Sequence, residues 1–408
     1  MKSKIISTIP IEASSFPLLS VLMYKKKHRQ KSIIKSLGTI AFVIFILVSV
    51  AGAAPFAYVA NEESKTISVI DTANNNVITT IPLAVSPWGI VATTDETKVY
   101  VADSGKLSTN VSVIDTATNT VTAIVNVGVC PWGIAVNPAG TRVYVTIHNN
   151  TNASVIDTAT NSVIDTLSVG NDPCGIAVSP DGKKIYVVSG LNKTVSTIDL
   201  ATKNIIATAN VGNNPWDVAV NPDGTKVYVA NENDNTVSVI DTTSNKVIDT
   251  VSVGDIPYSI SISPAGTKVY TVNKDDNSVS VIDTASNKVV ATIPVGTKPV
   301  GVAVSPDGKE TYVANYDSNT VSVIDTTTNT VIATVNVGKG PCGISFIDPV
   351  IKTNSTMESN STSTLSPTTQ TKNQTENQGN KEKRTPFISP ILVLAIVLGT
   401  VKYVIKRK

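Results

Sequence analysis

Between about residues 57 and 347 the chain is written in short runs rich in Val, Ile, Ala and Tyr, cut at regular intervals by Asp, Asn, Gly and Pro. In the stretch from Pro215 to Gly254 the runs are Asp217 to Val220, Lys226 to Ala230, Thr236 to Ile240 and Lys246 to Val253. Turns at Pro222-Asp223-Gly224, at Glu232 to Asn235 and at Asp241 to Asn245 separate them. Asp-Gly and Asn-rich turns between β-branched runs are hairpin signals, and no segment here holds a helical period. The stretch therefore predicts four antiparallel strands. In the third, Val237 and Val239 face one way and Ile240 the other, so both sheet faces offer apolar side chains. A sheet buried on both faces between neighbouring sheets is a propeller blade.

The unit recurs. Tyr58, Tyr100, Tyr144, Tyr186, Tyr228, Tyr270 and Tyr312 are spaced by 42, 44, 42, 42, 42 and 42 residues. Each is followed by an Ile-Asp pair at Asp71, Asp115, Asp157, Asp199, Asp241, Asp283 and Asp325, then by Pro87, Pro131, Pro173, Pro215, Pro257, Pro299 and Pro341. A period of this regularity decides the architecture. The chain enters at Phe56 on a second-type strand and leaves the pattern after one extra first-type strand, Pro341 to Ile347. Joining that strand to the first three completes a blade and removes two open edges. The expected fold is all-β, a seven-bladed β-propeller with four antiparallel strands per blade, closed by the C-terminal strand.

Specific motifs now bear on kinship: Tyr58-Val59-Ala60-Asn61, Tyr228-Val229-Ala230-Asn231 and Tyr312-Val313-Ala314-Asn315, with Val-Ser-Val-Ile-Asp-Thr at 237 to 242, 279 to 284 and 321 to 326, and Ser-Pro-Asp-Gly at 179 to 182 and 305 to 308. On these, residues 57 to 347 resemble the YVTN family of β-propeller repeat proteins, which includes archaeal surface-layer propellers. Tyr144-Val145-Thr146-Ile147, Tyr186-Val187-Val188-Ser189 and Tyr270-Thr271-Val272-Asn273 depart from the motif without threatening the fold. The resemblance implies the fold and carries no function, because propellers host structural, binding and catalytic roles alike.

The ends read differently. Lys25 to Lys27, Arg29, Lys31 and Lys35 precede an uncharged run from Leu37 to Ala54, the pattern of a secretory signal peptide over residues 1–53, with Met23 as the tidier start. Residues 350–385 are Ser, Thr, Asn, Gln and Lys with almost nothing apolar, which predicts a disordered stalk. Residues 386–408 hold the apolar run Phe387 to Ile405 and the basic Lys406-Arg407-Lys408, the signature of a membrane helix with a cytoplasmic tail. These place the propeller, residues 54–349, on the cell surface. N-x-S/T sequons begin at Asn110, Asn149, Asn152, Asn192, Asn354, Asn360 and Asn373, sites of possible glycosylation.

Charge and chemistry narrow the functions. From Ala57 to Ile347 there are 26 acidic and 16 basic residues, a net of −10, which argues against nucleic acid as a partner. Cys130, Cys174 and Cys342 supply no disulfide framework. The seven aspartates of the Ile-Asp pairs are expected to cap turns. His148 reads as a loop residue, and no metal site is expected. The acidic loops Asn231 to Asn235 and Asn273 to Asn277 offer oxygens for calcium but match no standard calcium loop, so no cofactor is expected either. The residues after the repeat prolines, Trp88, Trp132, Cys174, Trp216, Tyr258, Val300 and Cys342, hold equivalent positions and should ring one mouth of the channel. Trp88, Trp132, Trp216 and Tyr258 then form either a ligand-stacking ring or a packed plug. The near-identity of the copies favours a non-enzymatic structural or adhesion protein that binds cell-surface proteins or glycans. The alternatives are a lactonase-like or dehydrogenase-like enzyme and a soluble exported ligand-binding propeller.

Overall fold

A computed structural model describes residues 55–105 and 107–348. The expected leader, stalk and membrane helix lie outside these residues, as do Asn354, Asn360 and Asn373. Among the described residues no helix is long and apolar enough to cross a membrane.

The described residues form seven four-stranded antiparallel sheets. We number the blades from the one holding the N-terminal strands and letter their strands A to D from the channel outward. Blade 1 is the composite: strand A is Pro341–Ile347, and B, C and D are Phe56–Asn61, Thr66–Asp71 and Asn76–Pro82. Strand A of blade 1 pairs Phe56 with Ile347, Tyr58 with Ser345 and Val59 with Ile344. The ring is thus closed between the two ends of the repeat region. Blades 2 to 7 are continuous, and their A strands begin at Pro87, Pro131, Pro173, Pro215, Pro257 and Pro299.

Strands B and C are buried on both faces, whereas strand D buries little. That asymmetry follows from position: B and C lie between neighbouring sheets, and D is the outer edge. Every blade has a register shift between C and D, such as that between Val239 and Ile240. Such a bulge bends and twists the outer strand, and in blade 5 it leaves Ile248 half exposed.

Three of the repeat tyrosines bolt their blade to the next. Tyr58 donates its hydroxyl to Asn119 Oδ1 at 2.6 Å, Tyr100 to Asn161 at 2.6 Å, and Tyr312 to Asn75 at 2.7 Å, which carries the joint across the seam. The accepting asparagines are left-handed residues of the C–D turns, a conformation that Asn tolerates well. The Ile-Asp aspartates sit four residues earlier, at the start of those turns. Asp71 accepts from Ala73 N, Asp115 from Thr118 N, Asp157 from Thr160 N, and Asp199 from Thr202 N. Asp241, Asp283 and Asp325 accept likewise from Ser244, Ser286 and Thr328. These bonds hold the Asp157, Asp199, Asp241, Asp283 and Asp325 carboxyls below their usual range. Of the sequon asparagines, Asn149 and Asn192 are exposed, while Asn110 and Asn152 are half-buried at strand starts.

Candidate functional site

The A strands crowd the axis, and glycine lets them do so. A Cβ on Gly301 would lie 1.8 Å from Cys342 O, and one on Gly133 would lie 2.3 Å from Cys174 O. The residue just before this glycine, next to the repeat proline, then points into the mouth on the face that also carries the B–C turns. There the aromatic residues meet one another. Ring centroids are 4.7 Å apart for Trp88 and Trp132, 5.4 Å for Trp132 and Trp216, and 5.2 Å for Trp216 and Tyr258. Lys274 Nζ stands 5.0 Å over the Tyr258 ring, a cation–π contact. Beneath the rings lies a cavity of about 200 Å³, lined among others by Trp88, Trp216, Asp217, Tyr258 and Ser259.

Two columns of equivalent positions break the repeat at this mouth. At the glycine position of the A strand stand Gly89, Gly133, Gly175, Asp217, Ser259, Gly301 and Gly343. Asp217 Oδ2 accepts from Ser259 Oγ at 2.9 Å and from Ile260 N at 3.0 Å, and Oδ1 accepts from Val218 N. Burial in the channel wall raises its carboxyl above the ordinary range against those three bonds. A carboxyl displaced in this way, lining a cavity, can exchange a proton with a bound molecule.

The second column is the first residue of the B–C turn: Glu62, Ser104, His148, Gly190, Glu232, Lys274 and Tyr316. Glu232 accepts from Trp216 Nε1 and Asn214 Nδ2, and Tyr316 donates to Glu62 at 2.7 Å. His148 packs against Trp132 at 5.5 Å and Trp216 at 6.2 Å. His148 lies in a loop, as expected: it opens the B–C turn after strand B of blade 3, Arg142–Ile147, within the aromatic cluster. Cys174 Sγ is 3.9 Å from its Nδ1. Burial, with Asp172 nearby, pushes the Cys174 thiol up to about 12, so it is not a free nucleophile.

The predicted ring is therefore brought together, with Trp88, Trp132, Trp216 and Tyr258 packed into one cluster. Asp217, Glu232 and His148 were missed as its polar members. Their signal was present in the sequence as columns whose residues differ from blade to blade. A deeper column holds another such change. Asn61, Asn231, Asn273 and Asn315 close strand B, and each donates from Nδ2 to hydroxyls of strand C, as Asn231 does to Ser238 at 2.9 Å. Blade 2 has Asp103 there, 1 % exposed, and its carboxylate accepts from the hydroxyl of Ser112. Burial pushes its carboxyl up to about 7.

Comparison with known proteins agrees with the fold. The family described as a YNCE-like β-propeller matches residues 135–224, and the family described as the cytochrome D1 heme domain matches residues 227–341. Hydrazine synthase of Kuenenia stuttgartiensis is similar at 24 % identity over 68 % of this chain and 96 % of that one, with a TM-score of 0.60. A putative 6-phosphogluconolactonase from Bacteroides uniformis is similar at 17 % identity over 72 % and 99 %, with a TM-score of 0.62. The dihydro-heme d1 dehydrogenase NirN is similar at 15 % identity over 71 % and 74 %, with a TM-score of 0.55. No curated protein matches. The chain is a seven-bladed β-propeller repeat protein.

Two expectations are corrected by these matches. The sequence reading gave neither enzymatic activity nor a cofactor. The family described as the cytochrome D1 heme domain matches residues 227–341, and the three similar structures carry the names of enzymes, one of them a haem d1 dehydrogenase. The seven copies are not interchangeable at the mouth, because Asp103, His148, Asp217 and Glu232 make it and its approaches unequal. A haem macrocycle itself does not fit this mouth. The rings lie against each other across it, and the cavity beneath them, about 200 Å³, leaves room for a compound of one small ring but not for a tetrapyrrole. His148, the one histidine among the described residues, has Nδ1 3.1 Å from Asp172 Oδ1 and its ring beside two tryptophans.

Proposed function

We propose that the chain is an enzyme-type, ligand-binding propeller that takes a small ring compound of sugar character at the aromatic mouth. The observation that carries this is Asp217. It places one carboxyl of raised proton affinity in a channel wall whose equivalent positions are glycine in five blades and serine in one, beside four aromatic rings. Aromatic faces stack on the apolar side of a small ring, and the carboxylates of Asp217 and Glu232 suit its hydroxyls. In this reading Trp88, Trp132 and Trp216 hold the ring, Glu232 orients it, and Asp217 accepts or returns a proton during turnover. The family match over 227–341 and the enzyme names among similar structures support the enzymatic side of the reading. The sequence patterns at both ends support display of the propeller outside the cell, with glycans among its candidate ligands.

All three tryptophans of the chain stand in this one cluster, so intrinsic tryptophan emission reports on the site alone. A panel of sugar lactones, free sugars and short oligosaccharides should contain a compound that shifts this emission and is turned over. Asp217→Asn should abolish turnover while binding persists, and Trp132→Ala should abolish binding. If no member of the panel changes the emission, the proposal is wrong.

A further inference from the structure

The joint between blades 3 and 4 carries a trio that occurs in no other blade. His148 follows strand B of blade 3, and Asp172 and Cys174 flank Pro173 at the start of strand A of blade 4, Pro173–Val178. Asp172 Oδ1 is 3.1 Å from His148 Nδ1, Cys174 Sγ is 3.9 Å from the same nitrogen, and one donor atom from each residue lies within 4.8 Å of the others. A nucleophile–base–acid relay needs its two partners on different ring nitrogens. Here both face Nδ1, which excludes a relay and leaves a point on which three donors converge.

The scaffold holds those donors in place without metal. His148 N donates to Cys130 O at 2.9 Å, Asp172 N to Asn150 O at 2.8 Å, and Asn149 N to Asp172 Oδ1 at 3.1 Å. The B–C turn of blade 4 opens on Gly190, where an added Cβ would lie 3.5 Å from Cys174 Sγ. Other blades carry Glu232, Lys274 or Tyr316 at that position, whereas here the turn sets no side chain against the buried sulfur. The propeller does not require the trio. The residues equivalent to Asp172 include Ser86, Asn214, Ile256 and Lys298, and blades with none of the three ligands fold alike.

We propose that His148 Nδ1, Asp172 and Cys174 Sγ bind one borderline-soft divalent cation of the zinc class, with a fourth position open toward the aromatic mouth. One nitrogen, one oxygen and one sulfur form a donor set that zinc accepts, and three protein ligands with an open position is its arrangement where it does chemistry. Magnesium and calcium want oxygen throughout. On binding, the imidazole proton sits on Nε2, and the Cys174 thiol gives its proton to solvent as the metal–sulfur bond forms. The site stands whether or not the ring-compound reading does.

The tag-free full chain, stripped with chelator, should be titrated with Co²⁺ and then Zn²⁺. The expected result is one Co²⁺ per chain with a thiolate-to-cobalt charge-transfer band in the near ultraviolet, displaced by Zn²⁺. Cys174→Ser should lose the band, while Cys130→Ser and Cys342→Ser keep it. His148→Gln and Asp172→Asn should each weaken binding by more than the roughly 100-fold that loss of an outer-shell partner can cost. Their tryptophan emission before metal is added shows that they are folded. Absence of a thiolate band in the wild-type chain, or a band that survives Cys174→Ser, overturns the assignment. The wild-type titration decides even if a variant does not fold.

Discussion

The C–D turns at the rim and the inner strands at the channel mouth are built from the same seven copies under opposite constraints. At the rim, Asp71 and its six equivalents accept a backbone N–H two or three residues on, and the blades use one solution seven times. At the mouth, the equivalent positions run Trp, Trp, Cys, Trp, Tyr, Val, Cys, and the next position is glycine in five blades, aspartate in one and serine in another. Turn geometry is local, so each copy meets the same demand. The mouth is where all copies converge, and identical large side chains there would compete for one volume. Departure from the repeat is therefore concentrated where side chains share space.

The largest test of this contrast is steric. Gly301→Ala sets a methyl group 1.8 Å from Cys342 O, a backbone atom that cannot rotate away, and should lower unfolding stability by about 3 kcal/mol or more, or prevent folding. Gly105→Ala, in the B–C turn of blade 2 with its nearest neighbour 3.6 Å off, should stay within about 0.5 kcal/mol. Denaturant titration of both variants measures the gap. Equal effects would mean that the inner strands are not held by close approach.

Asp103 supplies the next largest effect. Its folded carboxyl titrates near 7 against an ordinary value of 3.8, so burial favours the protonated form. Below the ordinary value both states are protonated and nothing is lost. As pH rises from about 4 to 7 the unfolded chain ionises first, and stability falls until the folded carboxyl ionises too. Asp103→Asn restores the residue of blades 1, 5, 6 and 7, so it should raise stability at pH 8 by on the order of 3 kcal/mol. It should change little at pH 3.5. A denaturation midpoint that follows the same pH curve in both proteins would remove Asp103 as the cause.

Smaller still is the inequality among the bolts. Tyr100 donates to Asn161, whereas the buried hydroxyl of Tyr228 has no partner among the described residues. Tyr100→Phe should cost about 1 kcal/mol, and Tyr228→Phe should be neutral or slightly stabilising. Matched thermal unfolding curves of the two variants separate these outcomes.

Much of this was legible before any coordinates. Seven tyrosines at near-constant spacing gave the blade count, and one surplus strand at 341–347 gave the closure, because both depend on local pattern and on counting. The aromatic ring was legible for the same reason, since it follows the repeat. Its chemistry was harder to see because it lies in exceptions to the repeat. Asp217 reads as an ordinary strand-start aspartate until set beside Gly175 and Gly301, and Asp103 reads as a motif variant until its burial is known. His148 and Cys174 are separated by 26 residues and belong to different blades, so only the packing of one blade on the next brings Nδ1 to the sulfur. The ring-to-ring contacts were out of reach for a similar reason: the repeat puts aromatics at one level but does not say how far each leans inward.

The pairing of Phe56 with Ile347 also sets a timetable. During synthesis the three opening strands emerge from the ribosome with one edge bare, and about 260 further residues must follow Pro82 before their partner exists. Contacts so distant in sequence form late and slowly, and an exposed strand edge in the meantime invites pairing with the wrong neighbour. Blades 2 to 7 have no such wait, since each has all four of its strands within one stretch of chain. Nascent molecules should accordingly hold a finished arc of six blades while the first remains a three-stranded fragment, and the last strand to arrive turns that arc into a ring.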